Sequence, residues 1–253
     1  MKATYSIALI AAAGLLALSA PAQASKMDVF IVSSARDSYV FINYLQNDDI
    51  RIESKDGAVT LTGIISEEFH RSLAEVTMTD IPGVRSVDNR LEVKDAPPTA
   101  NSDAWFRNKV KATLLFHRSV NGKTTEVDVK DGIVTLRGNA ATQSQKELTT
   151  EYAKDVDGIL EVKNEMTVSV APEKPARSVK EKIDDVSVAA LVRMALVLHH
   201  STNSLYTTVA VRRGVVTVGG RARTAAEKET VTRLVKDVNG VRKVKNLMTI
   251  EPS

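Results

Sequence analysis

Apolar positions along this chain change their spacing in a fixed order, and the order occurs three times. Runs such as TTEVDVK (124–130) alternate apolar and polar residues with period two, the spacing of a half-buried strand. VTLTG (59–63), VTLRG (134–138) and VTVGG (216–220) follow at matching places and read as partner strands. The spacing then becomes helical: Val231, Leu234, Val235 and Val238 recur at three and four residues. TQSQ (142–145) and TAAE (224–227) mark the starts of these helices as capping boxes. In the first copy, Ser66 with Glu67 and Glu68 supplies the cap and the negative charge suited to a helix N-terminus. A last alternating run closes each copy: VRSVDNRLEVK (84–94), VKNEMTVSV (162–170) and VKNLMTIE (244–251). An amphipathic helix precedes the first strand, so each copy reads helix–strand–strand–helix–strand.

Turn residues fix the register. Gly57, Gly63 and Gly83 are matched by Gly132, Gly138 and Gly158, and again by Gly214, Gly220 and Gly240. The first glycine of each set lies in KDG, KDG or RRG between two strands, where a hairpin turn needs positive φ. The second ends a strand before a helix start, and the third fits the left-handed position that terminates a helix. The third also belongs to a phrase repeated in full: DIPGVRSVDN (80–89), DVDGILEVKN (155–164), DVNGVRKVKN (237–246). Proline-rich DAPPTANS (95–102) and APEKPARS (171–178) separate the copies as semi-extended linkers. The expected fold is α+β: three tandem two-layer α/β sandwiches over 26–95, 102–171 and 179–251. Each is αββαβ, a three-stranded mixed sheet covered on one face by two helices.

The αββαβ order, the turn glycine, the VTLxG strand and the GVxxVxN phrase resemble the BON domain family, in three copies that cover nearly all of the chain after its N-terminus. The resemblance implies a bacterial-envelope protein associated with phospholipid and with resistance to osmotic stress, and it implies no enzymatic activity.

Residues 1–24 carry one charge, Lys2, then an apolar run from Ile7 to Leu18 and Ala22-Gln23-Ala24. This is the pattern of a secretory signal peptide cleaved after Ala24. The remainder has no cysteine and no apolar stretch near the roughly 20 residues of a spanning helix, which together suit a periplasmic protein. Charge is polarised along the chain. Residues 26–97 hold 8 basic and 13 acidic side chains, 98–172 hold 10 of each, and 173–253 hold 15 and 8.

Chemistry is sparse. No nucleophile elbow, phosphate loop or dinucleotide fingerprint is present, so neither an enzyme nor a cofactor is expected. His199 and His200 end an apolar helix and read as solvated; Asp48 and Asp49 read as a solvated loop, not a metal site. Asn89, Asn164 and Asn246 share a strand side with apolar neighbours, and a buried amide must be hydrogen-bonded. They read as structural clasps to the helix-to-strand loop.

Function then lies on surfaces. On the helix 103–119, Phe106, Val110, Leu114 and His117 cluster on the core side at about 100° per residue. Trp105, Lys109 and Phe116 fall on another side, and Arg107, Lys111 and Arg118 form a basic stripe. An indole among cations suits a bilayer's headgroup layer or a contact with a neighbouring unit. The helix 186–201 is apolar almost all round and must be covered by another unit or a second chain. The third copy adds Arg212, Arg213, Arg221 and Arg223, positive groups suited to anionic headgroups. No stacking aromatics accompany them, which argues against nucleic acid. The expectation is a non-catalytic periplasmic protein that binds anionic phospholipid headgroups or envelope surfaces and supports envelope integrity under osmotic or other stress. The rival is a module or holdase for envelope or secreted proteins. Contact between the acidic first and basic third copies of different molecules offers charge-driven self-association.

Overall fold

A computed structural model describes residues 25–94, 98–169, 183–202 and 207–250. The signal-peptide expectation, the linker 171–178 and part of the linker 95–102 lie outside the described residues.

The first unit contains α1 (Lys26–Arg36), α2 (Tyr39–Asn43), β1 (Asp49–Lys55), β2 (Ala58–Ile65), α3 (Glu68–Thr79) and β3 (Ser86–Val93). β1 and β2 form a hairpin, and α3 crosses over so that β3 lies parallel to β2, which is central. The second unit repeats this with α4 (Asp103–Phe116), β4 (Glu126–Lys130), β5 (Ile133–Arg137), β6 (Asn139–Ala140), α5 (Gln143–Lys154), β7 (Glu161–Asn164) and β8 (Thr167–Val168). The third has α6 (Asp185–Leu198), β9 (Thr207–Arg212), β10 (Val215–Ala222), α7 (Ala225–Asp237), β11 (Lys243–Asn246) and β12 (Thr249–Ile250). The main sheet of each unit is mixed, with both helices of the unit packed on one face of it, as expected; β6 and β8 add a short parallel pair in the second unit, and β12 extends the sheet of the third to four strands. The opening helix of the first unit departs from expectation by breaking in two. Ser38 caps α2 there and donates its hydroxyl back to the Ala35 carbonyl at 2.7 Å.

Local devices repeat with the sequence. Asp56 and Gly57, at φ of 51° and 79°, form the two-residue turn between paired Lys55 and Ala58. A carboxylate in the first turn of each opening helix grips this turn: Asp28 accepts from the Gly57 amide, Asp103 from Gly132 and Asp185 from Gly214. Thr142 and Thr224 cap α5 and α7 as expected. Ser66 does not cap α3; its hydroxyl donates to Asp48, and the capping residue Glu67 makes no side-chain cap bond.

Two glycine assignments are corrected. Gly63 does not end its strand but lies inside β2, opposite Ile50, where an added Cβ would meet the Asp49 carbonyl oxygen, and Gly220 likewise lies inside β10, opposite Thr207. Gly83 does not follow the helix directly: α3 ends at Thr79, and Gly83 takes φ 96° inside a turn closed by Val84 N–H to the Ile81 carbonyl. Gly158 and Gly240 occupy the same turn in the later units.

Candidate functional site

The three units meet through their helices, and the repeated phrase makes the joints. Asp80, Asp155 and Asp237 open its three copies; Asp80 and Asp155 cap the C-termini of α3 and α5, and Asp237 is the last residue of α7. Each carboxylate receives a donor from the opening helix of a different unit. Arg193 of α6 donates to Asp80 and, through its other nitrogen, to the Val209 carbonyl. His199 and Ser201, at the end of α6, donate to Asp155 at 2.7 and 2.6 Å. Ser119, just beyond α4, donates to Asp237, while Arg118 reaches the Val241 and Lys236 carbonyls.

The joint between the second and third units is reciprocal. His117 bridges to Val238 and His199 to Val156, each as an antiparallel pair. The Arg118 amide donates to the Asp237 carbonyl and the His200 amide to the Asp155 carbonyl. On this pseudo-two-fold axis His117 and His199 meet with Nε2 atoms 2.9 Å apart, both side chains inaccessible. The symmetry fails at one place. Tyr152 stacks on His117 with centroids 4.1 Å apart and donates its hydroxyl to Asp237 at 2.7 Å. His117 Nδ1 is left 3.5 Å from that carboxylate without a hydrogen-bond partner. Burial pushes the His117 pKa down, with Asp237 opposing and His199 assisting. Burial alone would raise the Asp237 carboxyl, but its donors outweigh that and hold it below the ordinary value.

α6, apolar almost all round, is covered by α3 of the first unit, by α4 and by α7. Asp184 and Ser187 at its start cap α2 of the first unit, accepting from the Tyr39 and Val40 amides at 2.8 and 3.0 Å. One apolar cluster consequently joins the first and third units and takes in Phe116 from the second. Phe116 is a correction: the side it shares with Trp105 is not open. It is wholly buried, with its ring 5.8 Å from Tyr44 and 6.2 Å from Phe69 of the first unit.

Trp105 and Lys109 do come together, with Nζ 4.3 Å from the ring centroid, a cation–π contact. The indole is partly buried against Phe106, edge to face at 5.1 Å, and Phe106 in turn closes on Gly158. Arg107 is partly buried and Lys111 exposed. Arg212, Arg213 and Arg221 are exposed, whereas Arg223 is tied to Glu227.

The helix-free faces of the three sheets differ sharply in charge. Strand register assigns nine equivalent outward positions to each. In the first sheet Arg51, Lys55 and Arg90 are offset by Glu53 and Asp88, and Arg90 pairs with Asp88 at 2.5 Å. In the second, Lys130, Arg137 and Lys163 face Glu126, Asp128, Glu161 and Glu165, with Arg137 bonded to Glu165 at 2.8 Å. The third keeps three cations, Arg212, Lys243 and Lys245, and has no carboxylate; Thr208, Ala210, Val215, Thr217, Gly219 and Leu247 fill the rest. A shallow depression of about 360 Å³ lies there, lined by Ala210, Arg212, Arg213, Thr217 and Lys245 among others.

The BON domain pattern matches residues 34–95, 102–169 and 184–252, well over half of the chain. The chain belongs to the BON domain family. It is 28% identical over 143 residues to Osmotically-inducible protein Y of Escherichia coli K12, covering 55% of this chain and 71% of that protein. It is 28% identical over 111 residues to the outer membrane lipoprotein DolP of Haemophilus influenzae, covering 43% and 57%. Among solved structures, CdsD of the Chlamydia trachomatis type III secretion system matches at 18% identity and a TM-score of 0.25, over 88% of this chain and 93% of that one.

Two features of these BON units escape a reading of sequence alone. His199, expected to be solvated, is buried at the joint because Asp155 of another unit lies against it; His200 alone is exposed. Asp48 is likewise not a solvated loop residue: its side chain is inaccessible and accepts from His70 Nδ1 at 2.6 Å. The recurrence of the phrase's aspartate was visible, but its partners were not, since each donor comes from a different repeat position. Among the described residues no group of three or more acidic, histidine or cysteine side chains is placed to hold a metal, and no helix is long and apolar enough to cross a membrane.

Proposed function

We propose that this BON protein is a non-catalytic, periplasmic component of the bacterial envelope that adheres to anionic phospholipid surfaces and supports envelope integrity under osmotic or other stress. The observation that carries the reading is the open sheet of the third unit, with three exposed cations and no carboxylate where the other two sheets are compensated. Near an anionic surface each such cation contributes about 1 kcal/mol. Arg213 at the β9–β10 turn extends the same positive edge. Trp105 with Lys109 supplies a second contact of the interfacial kind, an amphipathic ring beside an ammonium group. Family membership and the similarity to an osmotically inducible protein and an outer-membrane lipoprotein support the envelope and stress setting.

Vesicle flotation tests this. The full chain after Ala24 is expected to float with vesicles containing phosphatidylglycerol at low salt, and to stay at the bottom with phosphatidylcholine alone. Failure to float with either at low salt contradicts the lipid reading; salt-insensitive capture of envelope polypeptides in its place establishes the protein-binding rival.

A further inference from the structure

We infer that the His117–His199 contact is a proton-released latch between the second and third BON units, closed while one proton lies between the two Nε2 atoms and opened when both rings carry their full complement.

Protons are fixed in place along the chain Asp155–His199–His117–Asp237. Asp155 is ionised; burial favours its neutral form, but His199, Ser201 and a backbone amide outweigh that and keep its pKa below the ordinary value. A carboxylate only accepts, so the 2.7 Å contact puts a proton on His199 Nδ1. Neutral His199 then has a bare Nε2, and the 2.9 Å Nε2–Nε2 contact requires His117 Nε2 to be the donor. His117 Nδ1 is left as a bare lone pair, in agreement with its having no hydrogen-bond partner. A further proton there turns Nδ1 into a donor facing Asp237 at 3.5 Å, but burial disfavours the charged ring, so this proton already weakens the closed joint. The next proton has only His199 Nε2 to occupy. Two N–H groups then point at each other across 2.9 Å with two positive rings in a buried site, and the contact becomes repulsive.

The charged surroundings do not undo this. From α5 come Asp155 and Tyr152, with Glu151 near the phenol; from α7 come Asp237 and Arg233. Arg118, beyond α4, has its Nε 3.7 Å from Asp237 and so already supplies that carboxylate with a cation. His200, beyond α6, is exposed and 3.4 Å from exposed Asp157, outside the buried joint. Glu151 and Arg233 offset each other, which leaves two carboxylates facing one arginine and two histidines: one added proton neutralises the group and a second leaves it positive.

α4 transmits the result, because it carries Trp105 and Lys109 in its first half and leads into His117 at its end. Opening the latch frees the Trp105 surface to move relative to the cationic sheet of the third unit. For the sign, a histidine whose pKa is depressed on folding stabilises the closed joint above its ordinary value of about 6.5, and that contribution is lost as pH falls below it. The carboxylates stay ionised until lower pH, so the two events are separable.

Hydrogen exchange on the full chain from pH 8 to 4.5 tests the latch. The amides of Arg118, His200 and Asn239, which cross the joint, are expected to lose about tenfold of their protection relative to the central strands as pH falls through the ordinary histidine range. Unchanged relative protection at these amides overturns the proposal. The double variant His117→Gln/His199→Gln keeps a neutral amide pair and is expected to remove the pH dependence; persistence of the same loss also overturns it. If that variant does not fold, ring ¹⁵N shifts of the wild type decide. A proton on His199 Nδ1 and on His117 Nε2 at pH 8 supports the latch, and the opposite tautomers defeat it.

Discussion

The side-chain amide of Asn164 donates to the Lys146 carbonyl of α5 at 2.8 Å, and its own oxygen accepts the Met166 amide at 3.0 Å. Asn246 does the same with Lys228 and Met248, and Asn89 with Arg71 and Leu91. This asparagine is therefore a clasp between crossover helix and last strand, holding the helix itself and not the loop after it. Removing it from the third unit, Asn246→Ala, leaves a carbonyl and an amide without these partners and is expected to cost about 1–3 kcal/mol in urea denaturation. Asn246→Asp is expected to cost at least as much, because a carboxylate has no hydrogen for the Lys228 carbonyl. A loss below about 0.5 kcal/mol for both would remove the clasp.

Phe116 is expected to be a stability residue for the whole assembly. It fills the apolar space where α4 meets Tyr44 and Phe69 of the first unit, so Phe116→Ala opens a cavity that no single unit can close. The expected cost is about 3–5 kcal/mol, read as a lower midpoint in chemical denaturation. Loosening between units should also appear as a larger radius in small-angle scattering.

Acid should undo the turn grip of the first unit before it disturbs neutral contacts. Asp28 accepts from the Ser25 and Ser54 hydroxyls and the Gly57 and Asp56 amides, and these bonds outweigh burial to hold its pKa far below the ordinary carboxylate value. A depressed acid stabilises the fold above its unfolded pKa and ceases to as pH falls through the folded one. Wild-type stability is thus expected to drop below about pH 4, with a shallower drop in Asp28→Asn. Equal slopes measured by denaturation across pH 2–5 would contradict this role.

Trp105→Ala is expected to weaken flotation with phosphatidylglycerol vesicles more than Phe106→Ala at matched folding. Trp105 carries the Lys109 contact at the surface, while Phe106 faces inward toward Gly158. The reverse order would contradict the assignment of the two faces of α4.

Periodicity and the glycine cadence made the three sandwiches legible, because strand alternation and turn geometry are local properties of the chain. Coverage of α6 was also legible in outline, since a helix apolar on all sides cannot face water. The cover itself was not: that α3 of the first unit supplies it depends on how units separated by linkers dock. The same holds for Phe116, which helical phase places away from its own unit's core, and for His199, which reads as a solvated helix end; neither reveals the neighbour that buries it. The cationic sheet was half visible. Arg212 and Arg213 stood out as a pair, but Lys243 and Lys245 join Arg212 only once strand register puts β11 beside β10.

The most direct measurement compares charge reversal on two equivalent sheet faces by flotation with phosphatidylglycerol vesicles at low salt. Arg212→Glu/Lys243→Glu/Lys245→Glu on the third sheet is expected to abolish flotation, whereas Arg51→Glu/Lys55→Glu/Arg90→Glu on the first, an equal change in net charge, leaves most of it. Equal losses from both triple variants, or none from the third sheet while the wild type floats, would contradict the assignment of lipid adhesion to that face.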